Sequence, residues 1–134
     1  MKILILGAGR VGSSLASTLS RQEYEVSIVD LNKDKLLRLQ EDYDLATEIG
    51  HASHPITLEK AGADEETIVL AVTNSDECNI TSCQIAKSKF NVKKTICRLS
   101  DSAYLESLEA FGKDNIDIAI GPENEVTEHL VDLI

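Results

Sequence analysis

Gly7-Ala8-Gly9-Arg10-Val11-Gly12 reads G-x-G-x-x-G, and Asp30 stands eighteen residues beyond the last of these glycines. A glycine turn between a buried strand and a helix, with an acid about 20 residues further on, is the pattern that binds a dinucleotide. Each position has a physical task. Gly7 permits the tight turn, Gly9 lets a pyrophosphate approach the backbone, and Gly12 lets helix and strand pack closely. The N–H groups at the start of the helix, together with its dipole, favour an anion by about 0.3–1 kcal/mol, or up to about 2 where the site is partly buried. Asp30 offers a carboxylate to both hydroxyls of an adenosine ribose. The same residues also have plainer readings: glycines that only shape a turn, and an aspartate that caps the next helix.

Asp30 also discriminates between ligands. A 2′-phosphate would lie beside its carboxylate, and two unit charges about 4 Å apart repel by roughly 1–4 kcal/mol at effective dielectrics of about 80 to 20. No arginine follows; the next residues are Leu31-Asn32-Lys33. The pattern favours NAD(H) over NADP(H).

These residues need elements to position them. Lys2–Leu6 is a short apolar run suited to a strand buried on both faces of a parallel sheet. Val11, Leu15 and Leu19 then form a helical stripe. Strands are expected at Glu25–Asp30, Leu45–Ile49, Thr67–Val72, Thr95–Leu99 and Ile116–Ile120. Between them, helices are expected through Leu36, Leu37, Leu39 and Tyr43, through a segment opened by Pro55 and closed by Gly62, through Ile80, Cys83, Ala86 and Phe90, and through Tyr104, Leu105 and Leu108. Gly121-Pro122 starts a last helix with Val126, Leu130 and Leu133. Six strands alternating with helices predict a Rossmann-like doubly wound α/β domain with a parallel β-sheet in the order 3-2-1-4-5-6. The expected division is a nucleotide-binding domain over 1–121 and a terminal helix over 122–134.

Composition narrows the class. The 134 residues carry a net charge of −10, against phosphate binding to nucleic acid and against unaided docking on anionic lipid. The apolar runs are far shorter than the ~20 residues of a membrane span, and the N-terminus lacks the apolar core of a signal peptide. Cys78, Cys83 and Cys97 are an odd count, so they do not form a fully paired framework within one chain. His51 and His54 resemble a metal half-site, but Cys78 and Cys83 lie about 140° apart on a helix and do not converge on one ion. Cys83 and Cys97 read as small core residues. Ser13, Ser14, Ser17 and Ser20 read as helix-surface and packing positions, and Glu123, Glu125, Glu128 and Asp132 as a solvated helix face.

A longer string carries a resemblance. Gly50-His51-Ala52-Ser53 is followed by Leu58, by Ala61-Gly62-Ala63-Asp64, and by Ala71-Val72-Thr73-Asn74-Ser75-Asp76-Glu77 with Asn79. Together with the glycine turn, it resembles the N-terminal RCK (or KTN) domain of the Trk-system potassium uptake protein TrkA over essentially the whole chain. The resemblance implies a regulatory subunit rather than an enzyme. It implies binding of NAD or NADH, with ATP or ADP as the alternative. It also implies a homodimer or larger ring on the cytoplasmic face of the cell membrane, peripheral to it through a membrane potassium transporter. By position, the family's nucleotide contacts fall on Gly7 to Val11, Asp30, Thr73-Asn74 and Arg98, with Ala52 bordering the adenine end. From the residues alone, Thr73-Asn74 falls just past a strand end, on the rim where open α/β sheets bind ligands. Arg98 is suited to a phosphate or a base, or else to a surface ion pair. His51 stands where many relatives have aspartate, which bears on ligand preference.

Two other readings share the glycine turn: the cofactor domain of an NAD-dependent oxidoreductase, and the RCK domain of a potassium channel. The oxidoreductase needs a substrate domain and a proton donor. Only 14 residues follow Ile120, and no Lys, His or Tyr is visibly placed for hydride chemistry. The stripe Val126/Leu130/Leu133 has nothing after it to cover it. This leads us to expect an excised or truncated chain that self-associates through that stripe.

Overall fold

In the computed structural model, residues 1–112 and 114–134 are described. The strands are β1 (Lys2–Leu6), β2 (Glu25–Asp30), β3 (Ala46–Ile49), β4 (Thr67–Ala71), β5 (Lys94–Arg98) and β6 (Ile118–Ile120). The helices are α1 (Arg10–Ser20), α2 (Lys33–Asp42), α3 (Pro55–Lys60), α4 (Asp76–Phe90), α5 (Ser102–Glu106), α6 (Leu108–Phe111) and α7 (Thr127–Asp132). All the strands pair in parallel in the order β3-β2-β1-β4-β5-β6. The expected doubly wound topology is therefore the observed one.

The alternation of side chains along each strand builds two cores. Ile3, Ile5, Val26, Ile28, Ile68 and Leu70 face one way, under Leu15 and Leu19 of α1 and Leu36 of α2. Leu4, Leu6, Val29, Val69 and Ala71 face the other, under Leu58 of α3 and Ile80, Cys83 and Ala86 of α4. β1 and β4 are apolar beyond their first residues, Lys2 and Thr67, because both faces of the sheet are covered there.

Register then fixes the site. Leu6 lies opposite both Val29 and Ala71, so Gly7, Asp30 and Thr73 all emerge from one edge of the sheet. The strand order reverses between β1 and β4, and ligands bind in the crevice at such a switch point.

Several expectations need correction. The last helix is not continuous. A 3-10 turn spans Pro122–Asn124, Val126 is extended, and α7 begins only at Thr127. The break lets Glu125 turn toward Arg98 and Arg10 while Leu130 turns onto α1. Leu130 is completely buried, and Val131, Leu133 and Ile134 pack against the same core. The supposedly uncovered stripe is thus seated within its own chain, with only Val126 left exposed. Glu125 is no solvated acid either, since its side chain is 9% exposed. The stripe through Tyr104, Leu105 and Leu108 forms two short helices, α5 and α6, rather than one.

Candidate functional site

The glycine turn has the steric constraints that its spacing predicts. Gly7 adopts φ +107°, and a Cβ there would meet the Thr73 backbone at 3.0 Å. A Cβ on Gly12 would fall 1.7 Å from the Gly7 carbonyl oxygen, so α1 sits this close to β1 only because residue 12 is glycine. A Cβ on Gly9 would meet nothing within 4 Å. That open face lies at the start of α1, whose first turn carries no acidic residue and no side-chain cap. Backbone N–H groups at such a terminus suit an anion.

Asp30 is oriented rather than loose. Ala8 N–H donates to its Oδ1 at 2.8 Å, and Asn32 N–H donates to its Oδ2 at 2.8 Å. The capping role belongs to Asn32, whose side chain accepts from Lys35 N–H at 3.1 Å. Asp30 is therefore a fixed carboxylate at the crevice rim, bonded to the glycine turn and to the N-cap residue of α2 without itself capping that helix.

Most of the residues singled out in the sequence converge. Gly7, Gly9, Arg10, Val11, Asp30, Thr73, Asn74 and Arg98 line one cavity of about 360 Å³. Ala52 lines an adjoining cavity of about 250 Å³, which shares Gly7, Asp30, Thr73 and Asn74 and adds Leu31, His51 and Cys78. Gly12 lies beneath the turn and shapes it. Ala8 borders a shallow hollow of about 300 Å³ on the α2 side, together with Arg10, Lys35 and Arg38. Two joined cavities flanking Asp30 and Thr73 suit a ligand with two lobes about a ribose. The open space over Gly9 and the fixed carboxylate of Asp30 fit a dinucleotide or an adenine nucleotide.

Three residues that hold this site together were given no site role from the sequence: Asn79, quoted only within the longer string, Ser82, and Glu125, read as solvated. Asn79, fully buried on α4, accepts from Thr73 N–H at 3.0 Å and from Thr73 Oγ1 at 2.7 Å. Its Nδ2 donates to Thr73 O at 3.1 Å and to Arg98 O at 2.9 Å. Ser82, one turn further on, donates to Ala52 O at 3.0 Å. One helix face thus anchors both rims of the crevice. The available signal was two polar residues, Asn79 and Ser82, on the apolar face marked by Ile80, Cys83 and Ala86. Glu125 is the third. It takes Arg98 Nε at 2.6 Å and lies 3.7 Å from Arg10 Nη2. The ion-pair reading of Arg98 therefore holds together with the cavity-lining one, and Arg98 Nη1 also donates to Thr73 O at 3.0 Å.

The remaining candidates take quieter positions. His51 and His54 stack at 4.9 Å, and His51 Nδ1 lies 2.9 Å from Ser53 Oγ. Among the described residues, no group of three or more His, Cys, Asp or Glu side chains is placed to hold a metal ion. Cys83 and Cys97 are buried in the core. Ser13 and Ser20 donate to the backbone of their own helix region, and Ser14 meets Thr127 of α7 at 2.6 Å.

The sheet order and the crevice at its reversal define a Rossmann-like domain of the doubly wound α/β class. The TrkA-N domain family model matches residues 3–122, and the chain belongs to that family. It is 44% identical over 137 residues to the Trk system potassium uptake protein TrkA of Vibrio alginolyticus, a match that takes in 100% of this chain and 30% of the relative. The chain thus spans about 30% of that relative's length. Among solved structures, it is similar to the NAD(P)-binding domain of an exopolyphosphatase-related protein from Archaeoglobus fulgidus, with TM-score 0.77 and 19% identity. That likeness covers 98% of this chain and 95% of the other. The GsuK channel bound to NAD superposes with TM-score 0.70 at 19% identity, covering 89% of this chain and 21% of the channel chain. Among the described residues, no helix is long and apolar enough to cross a membrane.

Proposed function

We propose that this chain is a nucleotide-sensing regulatory domain that binds NAD or NADH in the switch-point crevice and controls potassium uptake through a membrane transporter. The observation that carries the reading is the pair formed by Asp30 and the glycine turn. The carboxylate is held by Ala8 and Asn32 N–H groups, beside a helix start left open at Gly9. In this reading Asp30 takes the adenosine ribose. The turn from Gly7 to Gly12 takes the pyrophosphate. Ala52 borders the adenine, and Thr73, Asn74 and Arg98 meet the distal half. ATP and ADP share the adenosine, the ribose and the first phosphates, and they are the alternative ligands. The potassium role is supported by the 44% identity to a potassium uptake protein. The same relationship supports a non-catalytic chain that assembles as a dimer or ring, on the cytoplasmic face, beneath its transporter.

The preference for NAD(H) over NADP(H) rests on the Asp30 charge. The structure adds an opposing influence that the local sequence did not reveal, because Lys35 and Arg38 of α2 line the hollow beside Ala8. Asp30 is nevertheless hydrogen-bonded to the turn itself, and Lys35 also lines the larger cavity. Calorimetric titration with NADH, NADPH, ADP and ATP tests the reading. NADH binding tighter than NADPH, and weakened by Asp30→Ala, is the expected result. Equal or tighter NADPH binding overturns the preference, and no binding of any of the four overturns the crevice assignment. Potassium flux through the complete transporter complex during nucleotide exchange tests the regulatory part.

A further inference from the structure

Glu125 lies on the stretch between the 3-10 turn and α7, and its carboxylate reaches Arg98 and Arg10, two residues that line the crevice. With 9% side-chain exposure, it accepts from Arg98 Nε at 2.6 Å and from Arg98 Nη2 at 3.4 Å. Arg10 Nη2 stands 3.7 Å from its second oxygen. Arg10 and Arg98 are the two arginines lining the cavity that contains Gly7 and Gly9. A carboxylate of this chain therefore already pairs with both of these arginines, closely with Arg98 and loosely with the exposed Arg10, while Lys35 is the third cation lining the cavity.

We propose that Glu125 is the specificity-determining residue of the phosphate end, an internal counter-anion that a ligand's phosphate displaces from Arg98 and Arg10. The inference rests on the nucleotide reading of the crevice given above. Carboxylate and phosphate both bear negative charge, and they cannot both occupy the arginines without repulsion. Phosphate-bearing ligands must break an ion pair that a phosphate-free ligand leaves intact. The affinity difference between ADP and adenosine is thus set partly by Glu125.

Displacement also reaches beyond the crevice. Val126, the next residue, is the N-cap of α7, and its carbonyl accepts from Leu130 N–H at 3.1 Å. Thr127 meets Ser14 of α1 at 2.6 Å. Release of Glu125 therefore loosens the start of α7. By reciprocity, whatever holds α7 in place weakens phosphate binding by the same factor.

The test is calorimetric titration of adenosine and of ADP into this chain and its Glu125→Gln variant, in metal-chelating buffer. It is paired with amide hydrogen exchange over residues 126–134 of the unaltered chain. Glu125→Gln should tighten ADP at least about fivefold, the low end of what a unit charge about 4 Å away produces, and leave adenosine unchanged. Saturating ADP should speed exchange in residues 126–134, and adenosine should not. The exchange experiment needs no variant, so it stands even where Glu125→Gln fails to fold. Unchanged ADP affinity, equal tightening of both ligands, or exchange indifferent to ADP overturns the counter-anion role while leaving the nucleotide reading standing. Failure of ADP to bind overturns this inference, and the nucleotide reading falls with it only where NADH, NADPH and ATP also fail to bind.

Discussion

Replacing Asn79 by leucine keeps a branched side chain at the same buried position and removes four hydrogen bonds. Not all four partners are orphaned. Thr73 O keeps the Arg98 Nη1 donor at 3.0 Å, and the Thr73 hydroxyl keeps Ser75 O at 3.2 Å. Thr73 N–H loses its acceptor, and Arg98 O retains only the Cys97 thiol at 3.9 Å. An unsatisfied buried group costs about 1–3 kcal/mol. Two such groups on a partly wet rim set the loss at about 2–4 kcal/mol, against a total stability of about 5–15 kcal/mol for a domain. The loss should appear as a lower urea midpoint with an unchanged m-value, because the folded core is intact. NADH affinity measured well below the transition should fall as well, because Thr73 and Arg98 lose their common anchor. Asn79→Asp separates the two halves of the interaction: it keeps the acceptor and loses both donations to the carbonyls. A stability change below about 0.5 kcal/mol, the range of a neutral surface substitution, would refute the reasoning.

Three further outcomes follow from the packing and the titrating groups. Leu130→Ala should cost about 2–5 kcal/mol by urea unfolding, as for a buried leucine, because Leu130 seats α7 in the core; a loss under about 1 kcal/mol returns it to the surface role its sequence position suggested. The Lys2 ammonium, 2.6 Å from Asp64, holds that carboxyl below its ordinary range, with Glu66 N–H assisting. A depressed folded value means that the stabilisation is present above the unfolded carboxyl range near pH 4 and is lost as pH falls through the lower folded value. Lys2→Met should therefore narrow the difference between urea midpoints at pH 7 and pH 2.5, by a small amount because the pair is partly exposed; an unchanged difference rejects the pair. A hydrogen bond made by the Cys83 thiol to Cys97, together with burial, pushes the Cys83 thiol up, so at pH 8 a thiol reagent should modify Cys78 alone in the native chain; rapid labelling of more than one thiol contradicts this.

The sequence alone determined what depends on local pattern. Short apolar runs and helical stripes of period 3.6 disclosed the alternation of strands and helices, and from it the parallel sheet and its order. The glycine spacing and Asp30 located the crevice, because each glycine answers a steric demand within a few residues of itself. Strand ends moved by a residue or two, as at β5, since ladders and apolar runs need not end together. What depends on contacts between distant residues was decided only by the fold. Asn79 lies nineteen residues from Arg98 and joins it only when β5 pairs with β4. Glu125 looked like one more acid on an acidic helix, and only the seating of α7 on α1 carries it 27 residues back to Arg98. Leu130 looked uncovered because its cover, α1, precedes it by more than a hundred residues. Spacing along a chain fixes which face a residue shares with its neighbours, whereas the partner on that face, and hence whether a charge is solvated or paired, is set by where remote elements come to rest.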